Sequence, residues 1–381
     1  MNELAPLLLV ILAIYLLQCV SLTPWDATVF RRSFRGRWKR HASGFLLKAH
    51  SRSLRLVNPA FPGHGLVVVP SLPFAVSPQG IAVGGTASER GARSEFLSFE
   101  TAQSFAWREE WVRANGRGLF RAASQEQADR LAGWLEQLRR APIQERPGLI
   151  DAEISRRLRT RPMKHRLLVY EKESVALRIF CAILLLALFL VIPVVVSAAG
   201  LRRTWPALVV FLLASLLAIS TEFASAHRRL YPGDRDGRWT ALLTLALSPP
   251  AAVRANDLLL KNLMVNFDPL AVSRVLCQEQ EFDRCCRAAA RALHFPLPFE
   301  VEAGESAGDL TRAWFHQRLA SLQQAFMEGQ VRNPDALLQA PAPESPQSHS
   351  YCPRCLTQFV VKEGTCSDCA IPLQALPPTT A

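Results

Sequence analysis

The stretch that decides the fold is "SVALRIFCAILLLALFLVIPVVVSAAGLRRTWPALVVFLLASLLAISTEFASA", residues 174–226. It holds two apolar runs, residues 174–200 and residues 205–226, separated only by "LRRT". As a helix, each run is long enough to cross the ~30 Å hydrocarbon core of a bilayer. We therefore predict two transmembrane helices that form a hairpin.

Basic residues at the outer ends of the hairpin predict its orientation, because positive charge favours the cytoplasmic side of a membrane. The flanking cations are Lys164, His165, Arg166, Lys172, His227, Arg228, Arg229, Arg235 and Arg238. They outnumber Arg202 and Arg203 in the short connection, so both outer ends are expected in the cytoplasm. Glu222, near the cytoplasmic end of the second helix, is either an ion-pathway group or an end residue that reaches the headgroups, and we favour the second interpretation.

A third uncharged run, residues 4–22, begins the chain. Its basic flank follows the run instead of preceding it, which favours an uncleaved anchor with its N-terminus outside over a secretory signal. We therefore predict three transmembrane helices. A fourth run, residues 240–253, is short and interrupted by Pro249 and Pro250, so it is expected not to span.

The basic segment, residues 24–42, follows the first anchor. Its lipid-contacting residues are predicted to be Arg31, Arg32, Arg35, Arg37, Trp38, Lys39 and Arg40. The chain carries 44 Lys+Arg against 32 Asp+Glu, a net charge of +12. Cations with an interleaved aromatic also suit nucleic acid. Anionic lipid headgroups are the expected partner, and nucleic acid is not, because a neighbouring membrane segment already accounts for the charge.

Residues 43–141 show short apolar runs bounded by Gly and Pro, typical of strands. Asn115-Gly116 predicts a hairpin turn, and Ser124 with Gln127 predicts a capping box at the start of a closing helix. The buried face of that helix is predicted to contain Ala128, Leu131, Leu135 and Leu138. This α+β order is similar to that of a pleckstrin-homology-like barrel, which implies a binding module; another α+β roll explains it nearly as well. Residues 142–173 are expected to connect this domain to the hairpin.

Residues 238–338 predict a helical region. Cys277 and Cys285, placed on one helix, are about 12 Å apart along its axis, too far to share a metal ion. Together with Cys286 they are interpreted as small buried core residues. No nucleophile elbow, H-E-x-x-H motif or Walker-type loop is present, so no catalytic residue is predicted.

A Pro/Ser-rich linker, residues 339–350, precedes a tail at residues 351–375 with two C-x-x-C pairs. The predicted zinc ligands are Cys352, Cys355, Cys366 and Cys369, because two such pairs can form one tetrahedral site that supplies the folding free energy of a short segment. Phe359, Val360 and Val361 are expected to cover this site in a small hairpin. Two disulfides would need an oxidising compartment, and a thioredoxin-like redox pair would need a larger fold.

The tail resembles the zinc ribbons found at the ends of many bacterial proteins. The resemblance covers Tyr351, the two cysteine pairs, Phe359 and Pro372-Leu373. Zinc ribbons usually place Gly just after each cysteine pair, whereas this chain has Leu356 and Ala370 there. The resemblance implies a structural zinc ion and leaves protein binding, nucleic-acid binding and simple stabilisation open.

Taken together, these patterns predict a multi-pass protein of the bacterial inner membrane, with its other domains and tail in the cytoplasm. Each recognisable part is an anchoring or binding device, which favours a non-enzymatic scaffold, regulator or sensor with an unidentified protein partner. A transporter or its accessory subunit is the alternative, and a membrane-bound enzyme is a weaker one.

Overall fold

The computed structural model describes residues 9–10, 12–13, 21–24, 27–32, 37–41, 45–49, 52–57, 65–84, 95–247, 252–296 and 305–377. The chain divides into two compact units, each assembled from segments that are distant in sequence. The first, here called the hairpin unit, contains Met1–Leu72, Ser104–Glu136 and Arg159–Val275. The second, here called the ribbon unit, contains Pro73–Gln103, Gln137–Leu158 and Leu276–Ala381.

The strands are short and antiparallel. In chain order they are β1 Ser21–Pro24, β2 Thr28–Arg32, β3 Trp38–His41, β4 Phe45–Ala49, β5 Arg52–Val57, β6 Leu66–Val69, β7 Phe74–Ser77, β8 Gly80–Val83, β9 Glu95–Ser98, β10 Phe105–Arg108, β11 Trp111–Ala114, β12 Arg117–Arg121, β13 Ser350–Tyr351, β14 Gln358–Phe359 and β15 Gln374–Ala375. In the hairpin unit they pair in the orders β1-β5-β4, β3-β2-β6 and β10-β11-β12. In the ribbon unit the orders are β7-β8-β9 and β14-β13-β15.

The sheets confirm that residues 43–141 are rich in β-strands, but they do not confirm the predicted single domain. Strands of residues 43–141 lie in four separate three-stranded sheets of the described chain, and these sheets are divided between the two units. The single bent sheet of a pleckstrin-homology-like barrel is therefore not confirmed. The predicted turn is confirmed: Asn115 and Gly116 have φ of 51° and 78° between β11 and β12, as such a hairpin requires.

The helices whose bounds the structure describes all follow β12. They are α1 Gln125–Arg140, α2 Arg146–Arg157, α3 Thr160–Glu173, α4 Val175–Leu186, α5 Ile192–Ala199, α6 Leu201–Leu230, α7 Arg235–Leu247, α8 Ala255–Lys261, α9 Pro269–Leu276, α10 Glu279–His294 and α11 Ala307–Glu328. A π-helical turn, Ala187–Val191, joins α4 to α5, and a 3₁₀ turn covers Pro334–Leu337.

The predicted start and face of α1 are confirmed. The Gln127 N–H donates to the Ser124 hydroxyl at 3.2 Å, and the Gln127 side chain accepts from the Ala123 N–H at 2.8 Å. The four residues of its predicted face, each at most 1% exposed, are Ala128, Leu131, Leu135 and Leu138.

Two helices occupy the deciding stretch, and both are long and apolar enough to cross a membrane: Val175–Ala199, with 25 residues, and Leu201–Leu230, with 30 residues. The predicted connection is wrong in one respect, because "LRRT" is the first turn of α6. Gly200 alone breaks the helix, with φ 80° and ψ 145°. The π turn precedes Pro193, whose missing N–H cannot close a regular α-helical hydrogen bond.

The other predicted spans have different outcomes. Residues 4–22 lie mostly outside the described residues; Leu9, Val10, Leu12 and Ala13 are helical, whereas Ser21 and Leu22 belong to β1. The apolar residues 240–247 belong to α7, a helix of 13 residues. At 1.5 Å per residue that helix is about 20 Å long, too short to cross the hydrocarbon core.

The hairpin helices pack against α8 of the same unit, and α8 also packs against β6. Gly65 allows this close approach: an added Cβ there would lie 2.6 Å from Leu260 Cδ1 and 2.9 Å from Trp38 Cη2. Nearly every residue from Ala252 to Val272 is buried. Because these residues lie in the interior of the unit, apolar side chains continue along the sequence well beyond the two long helices.

In the ribbon unit, α11 packs across β7 and β8 and against α2. Ser306 caps α11 by accepting from the Asp309 N–H at 3.2 Å, and the Thr311 and Ser77 hydroxyls are 3.1 Å apart. Arg318 on α11 forms an ion pair with Asp151 on α2. This layer supports α10, on which the tail of the chain is placed.

Candidate metal centre

Both cysteine pairs of the tail are followed by a backbone turn of the same kind. Leu356 and Ala370, the residues just after the pairs, have φ of 67° and 53°. The Leu356 N–H donates to the Cys352 carbonyl at 2.9 Å, and the Ala370 N–H donates to the Cys366 carbonyl at 2.8 Å. The conformation that glycine normally supplies is therefore present without glycine.

A second hydrogen bond repeats in both turns. The Cys352 N–H donates to the Thr357 carbonyl, and the Cys366 N–H donates to the Ile371 carbonyl, each at 2.9 Å. The two cysteine pairs thus form matching knuckles, each of which turns the chain so that both of its cysteines face the other pair. The same spacing of cysteines produces the same local structure twice.

The four sulfur atoms converge. The Sγ atoms of Cys352, Cys355, Cys366 and Cys369 all lie within 4.8 Å of one another, and those of Cys355 and Cys366 are 3.7 Å apart. A tetrahedral ion with Zn–S bonds of ~2.3 Å has sulfurs about 3.8 Å apart. Disulfides of ~2.05 Å are not formed, since all four cysteines are free. The donors and their spacing therefore fit a metal ion that prefers four thiolates.

The shell around the sulfurs is partly buried. Cys352, Cys366 and Cys369 are buried and Cys355 is exposed, with the Thr357 hydroxyl 3.2 Å from its sulfur. Phe359 packs against the cluster as predicted. Val360 and Val361 do not cover the site as predicted, because their side chains are 66% and 50% exposed. Ile371 and Leu373 fill that place instead.

The predicted linker is ordered along its contact with the ribbon. The Gln358 side chain donates to the Ala342 carbonyl at 2.8 Å and accepts from the Glu344 N–H at 2.9 Å. The Ser350 hydroxyl donates to the Val361 carbonyl at 2.6 Å. These bonds align residues 342–350 beside the small sheet, so this part of the chain is a component of the ribbon.

The helical cysteines require a correction. The chain breaks between α9 and α10, so Cys277 lies between the two helices and not eight residues along one helix from Cys285. A hydrogen bond from the Cys285 side chain, with burial, raises the pKa of Cys277. The separation of 12 Å was therefore wrong, although all three cysteines, including Cys286, are buried core residues. Among the described residues, the tail cysteines form the one group of three or more metal-binding side chains.

The basic segment forms β2 and β3, two paired strands. Arg31 and Lys39 lie directly opposite each other in the register, which places two cations on one face. Trp38 is 8% exposed and packs inside the hairpin unit, so its indole is not at the surface where a lipid contact would require it. Arg31 and Arg32 are half-buried, and the exposed cations among the described residues of the segment are Arg37, Lys39 and Arg40. Arg35 lies outside the described residues.

A buried polar cluster in the hairpin unit was not predicted. The Tyr170 hydroxyl donates to Asn256 Oδ1 at 2.6 Å, and Arg254 Nε donates to Asp257 Oδ2 at 3.1 Å. Burial raises the pKa of Asp257 to about 6, although Arg254 opposes the shift. Burial also raises the pKa of Tyr170 to about 12. Polar residues within an apolar run were the only sequence signal of this cluster.

The chain was compared with known protein families, curated proteins and solved structures. None of the three comparisons found a match.

Proposed function

We propose that this chain is an integral membrane protein that acts as a non-enzymatic scaffold, regulator or sensor. In this proposal the predicted N-terminal anchor and the helices α4 to α6 hold the chain in the membrane. The β-rich and helical regions are cytoplasmic binding modules, and the tail is a structural zinc ribbon. The observation that carries the proposal is the exposure of the long apolar helices, because it separates an anchor from the core helix of a water-soluble protein.

Only 33% of the most apolar window of Val175–Ala199 and 11% of that of Leu201–Leu230 are buried. Leu186, Leu190 and Leu217 have exposed fractions of 58%, 57% and 67%. An apolar surface of this extent is unfavourable in water, whereas lipid tails solvate it without cost. Two Thr side chains in α6 donate hydrogen bonds to backbone carbonyls of the preceding turn: Thr204 to the Gly200 carbonyl at 2.9 Å, and Thr221 to the Ala218 carbonyl at 2.8 Å.

The charges around the hairpin support a cytoplasmic position for both of its outer ends. Arg229 at the end of α6 forms an ion pair with Glu173 at the end of α3, which ties the two ends together. The surrounding cations favour the cytoplasmic side. We place the protein in the inner membrane of a bacterium, with the predicted N-terminal anchor starting outside.

The basic segment is proposed to contact anionic lipid headgroups through its cations. Arg37, Lys39 and Arg40 are exposed, as a contact with headgroups requires. Each cation close to an anionic leaflet contributes about 1 kcal/mol. Trp38 is left out of this contact because of its burial.

Zinc is the proposed metal because four thiolates at tetrahedral spacing with partly buried sulfurs are typical of structural zinc sites. The ion supplies the folding free energy that so short a segment lacks. The ribbon then presents an ordered surface to a protein partner.

Transport is the alternative function. Its candidate ion-pathway group is Glu222, a half-buried carboxylate in α6. An enzyme with a site at the buried polar cluster is the weaker alternative, since burial raises the pKa of Asp257 to about 6 as active sites often do.

The experiment uses the full chain purified in detergent and reconstituted in vesicles. We expect it to co-purify with the membrane, to contain one zinc ion per chain, to show no ion flux and to show no turnover on broad substrate panels. Zinc content should fall in Cys352→Ser and remain in the control Cys286→Ser. Robust flux would favour the transporter, and robust turnover lost in Asp257→Asn would favour the enzyme; either result would overturn the proposal.

A further inference from the structure

An arginine from α10 reaches the first knuckle of the ribbon. Arg291 is completely buried, with 0% of its surface exposed. Its Nη1 donates to the Pro353 carbonyl at 2.6 Å, and its Nη2 donates to the Gln339 carbonyl. The guanidinium carbon lies 5.9 Å from the centre of the Tyr351 ring. Pro353 is inside the first cysteine pair, so this contact is made with the metal-binding loop itself.

An arginine of the ribbon also contacts the end of α10. Arg354 Nη1 donates to the Phe295 carbonyl at 2.8 Å and to the Ala292 carbonyl at 3.4 Å. These carbonyls lie at the C-terminal end of α10, where a cation is favourable. Phe295 also packs against the apolar cluster around the cysteines. The ribbon is therefore docked on α10 by reciprocal contacts.

The charge of Arg291 needs compensation. Moving a guanidinium out of water is costly unless an anion faces it. In the part of the chain that the structure describes, the hydrogen-bond acceptors of Arg291 are neutral groups, namely two carbonyls and the Tyr351 hydroxyl. No carboxylate pairs with it, and its Nε has no partner.

The loaded site supplies the missing anion. Four thiolates carry a charge of −4 and Zn²⁺ carries +2, so the complex has a net charge of −2. We infer that Arg291 is the counter-cation of the zinc-loaded site and that it couples zinc binding to the docking of the ribbon on α10. This inference deepens the proposed zinc site and depends on it. Without the metal, neutral thiols no longer compensate the buried guanidinium, so docking weakens.

The test measures the zinc affinity of the full chain by competition with a chromophoric chelator. Charge-assisted interactions contribute roughly 1.5–3 kcal/mol, which corresponds to about tenfold or more in affinity. Arg291→Met should therefore bind zinc about tenfold more weakly, whereas Arg291→Lys should lose only a few-fold. Arg284→Met is the matched control, since the Arg284 side chain is on the same helix and 75% exposed. Its affinity should not change.

A second comparison isolates the charge. Cys355→His keeps four zinc ligands but reduces the net charge of the loaded site to −1, so the penalty of Arg291→Met should shrink in that background. Affinities are compared between variants whose helical circular dichroism at saturating zinc matches the wild type, and Arg291→Gln replaces Arg291→Met where the latter does not fold.

Three results would overturn the inference: unchanged affinity in Arg291→Met, equal losses in the Lys and Met variants, or the same penalty in both cysteine backgrounds. A wild-type chain that binds no zinc would instead overturn the zinc site itself.

Discussion

Leu356 and Ala370 show how two residues hold a conformation that their side chains disfavour. Each has a positive φ, and for a residue other than glycine this conformation costs about 1 kcal/mol or more. The strain persists because a hydrogen bond on each side fixes the turn, and because the knuckle must bring two sulfurs to one point. The sequence shows the absence of glycine but does not show whether the metal site can tolerate it.

Ala370→Gly should therefore stabilise the ribbon. Ala370 is exposed, so the change removes strain and loses no packing. We expect the zinc-loaded full chain to gain up to about 1 kcal/mol in free energy of unfolding, measured as resistance to denaturant. Ala375→Gly is the matched control: Ala375 is an exposed strand residue, and there glycine should destabilise by roughly 0.5–1 kcal/mol. Equal effects of the two changes would contradict the strain argument.

Asp257 predicts a pH dependence. The pKa of this carboxyl is raised from 3.8 to about 6 in the folded chain, so between these pH values the folded state binds more protons than the unfolded state. Stability therefore falls as pH rises from about 4 to 6 and then levels off. Each pKa unit is worth 1.36 kcal/mol, so this decrease is on the order of 3 kcal/mol.

The pH-dependent difference between Asp257→Asn and the wild type measures this effect. The variant should become more stable relative to the wild type by that amount as pH rises from 4 to 7, whatever constant offset arises from Arg254 losing its partner. Chemical unfolding in detergent at a series of pH values measures the difference. Asp129→Asn, at an exposed position of the same unit, should show no such trend. If the difference in free energy of unfolding between the variant and the wild type stays constant from pH 4 to 7, the raised pKa of Asp257 is refuted.

At the scale of elements, local sequence was sufficient where the capping residues and the spacing of apolar residues indicated the same helix. The start of α1 followed from Ser124 and Gln127, and its buried face followed from helical spacing. The break between α9 and α10 was missed because no glycine or proline marks Cys277 and Gln278. The first turn of α6 was predicted to be a loop because it contains two arginines between two apolar runs. In the structure, Gly200 alone separates the two apolar helices.

Gly200 also makes a prediction for the hairpin. Its φ of 80° with ψ of 145° is a combination available almost only to glycine, and an added Cβ would meet no atom within 4 Å. Gly200→Ala should therefore destabilise by about 1–3 kcal/mol through conformation alone. Gly133→Ala, inside α1 and equally unobstructed, should stabilise by up to about 1 kcal/mol. Thermal unfolding in detergent measures both; a shift of the same sign for both would contradict the assigned turn.

At the scale of the whole molecule, the sequence predicted the apolar helices from uninterrupted apolar runs and the cysteine site from the spacing of its cysteines. Both features are formed by residues that are close together in the sequence. The division into two units could not be predicted, since each unit joins segments that are separated by parts of the other. Short strands whose partners are set by long-range contacts carry little local information, which explains why residues 43–141 were assigned to one domain. The burial of Arg291 and Asp257 depends on the same long-range packing.

The hairpin predicts the sides of the membrane on which three points of the chain lie. Two spans return the chain to its starting side, so the exposed loop at residues 142–145 and the C-terminus should both be cytoplasmic, with Gly200 outside. Short epitope tags at these three positions, tested with an impermeant protease on intact and opened cells, measure this arrangement. We expect only the tag at Gly200 to be cleaved in intact cells. If the loop and the C-terminus lie on opposite sides, the hairpin assignment is wrong, and the cytoplasmic location of the zinc ribbon must be abandoned with it.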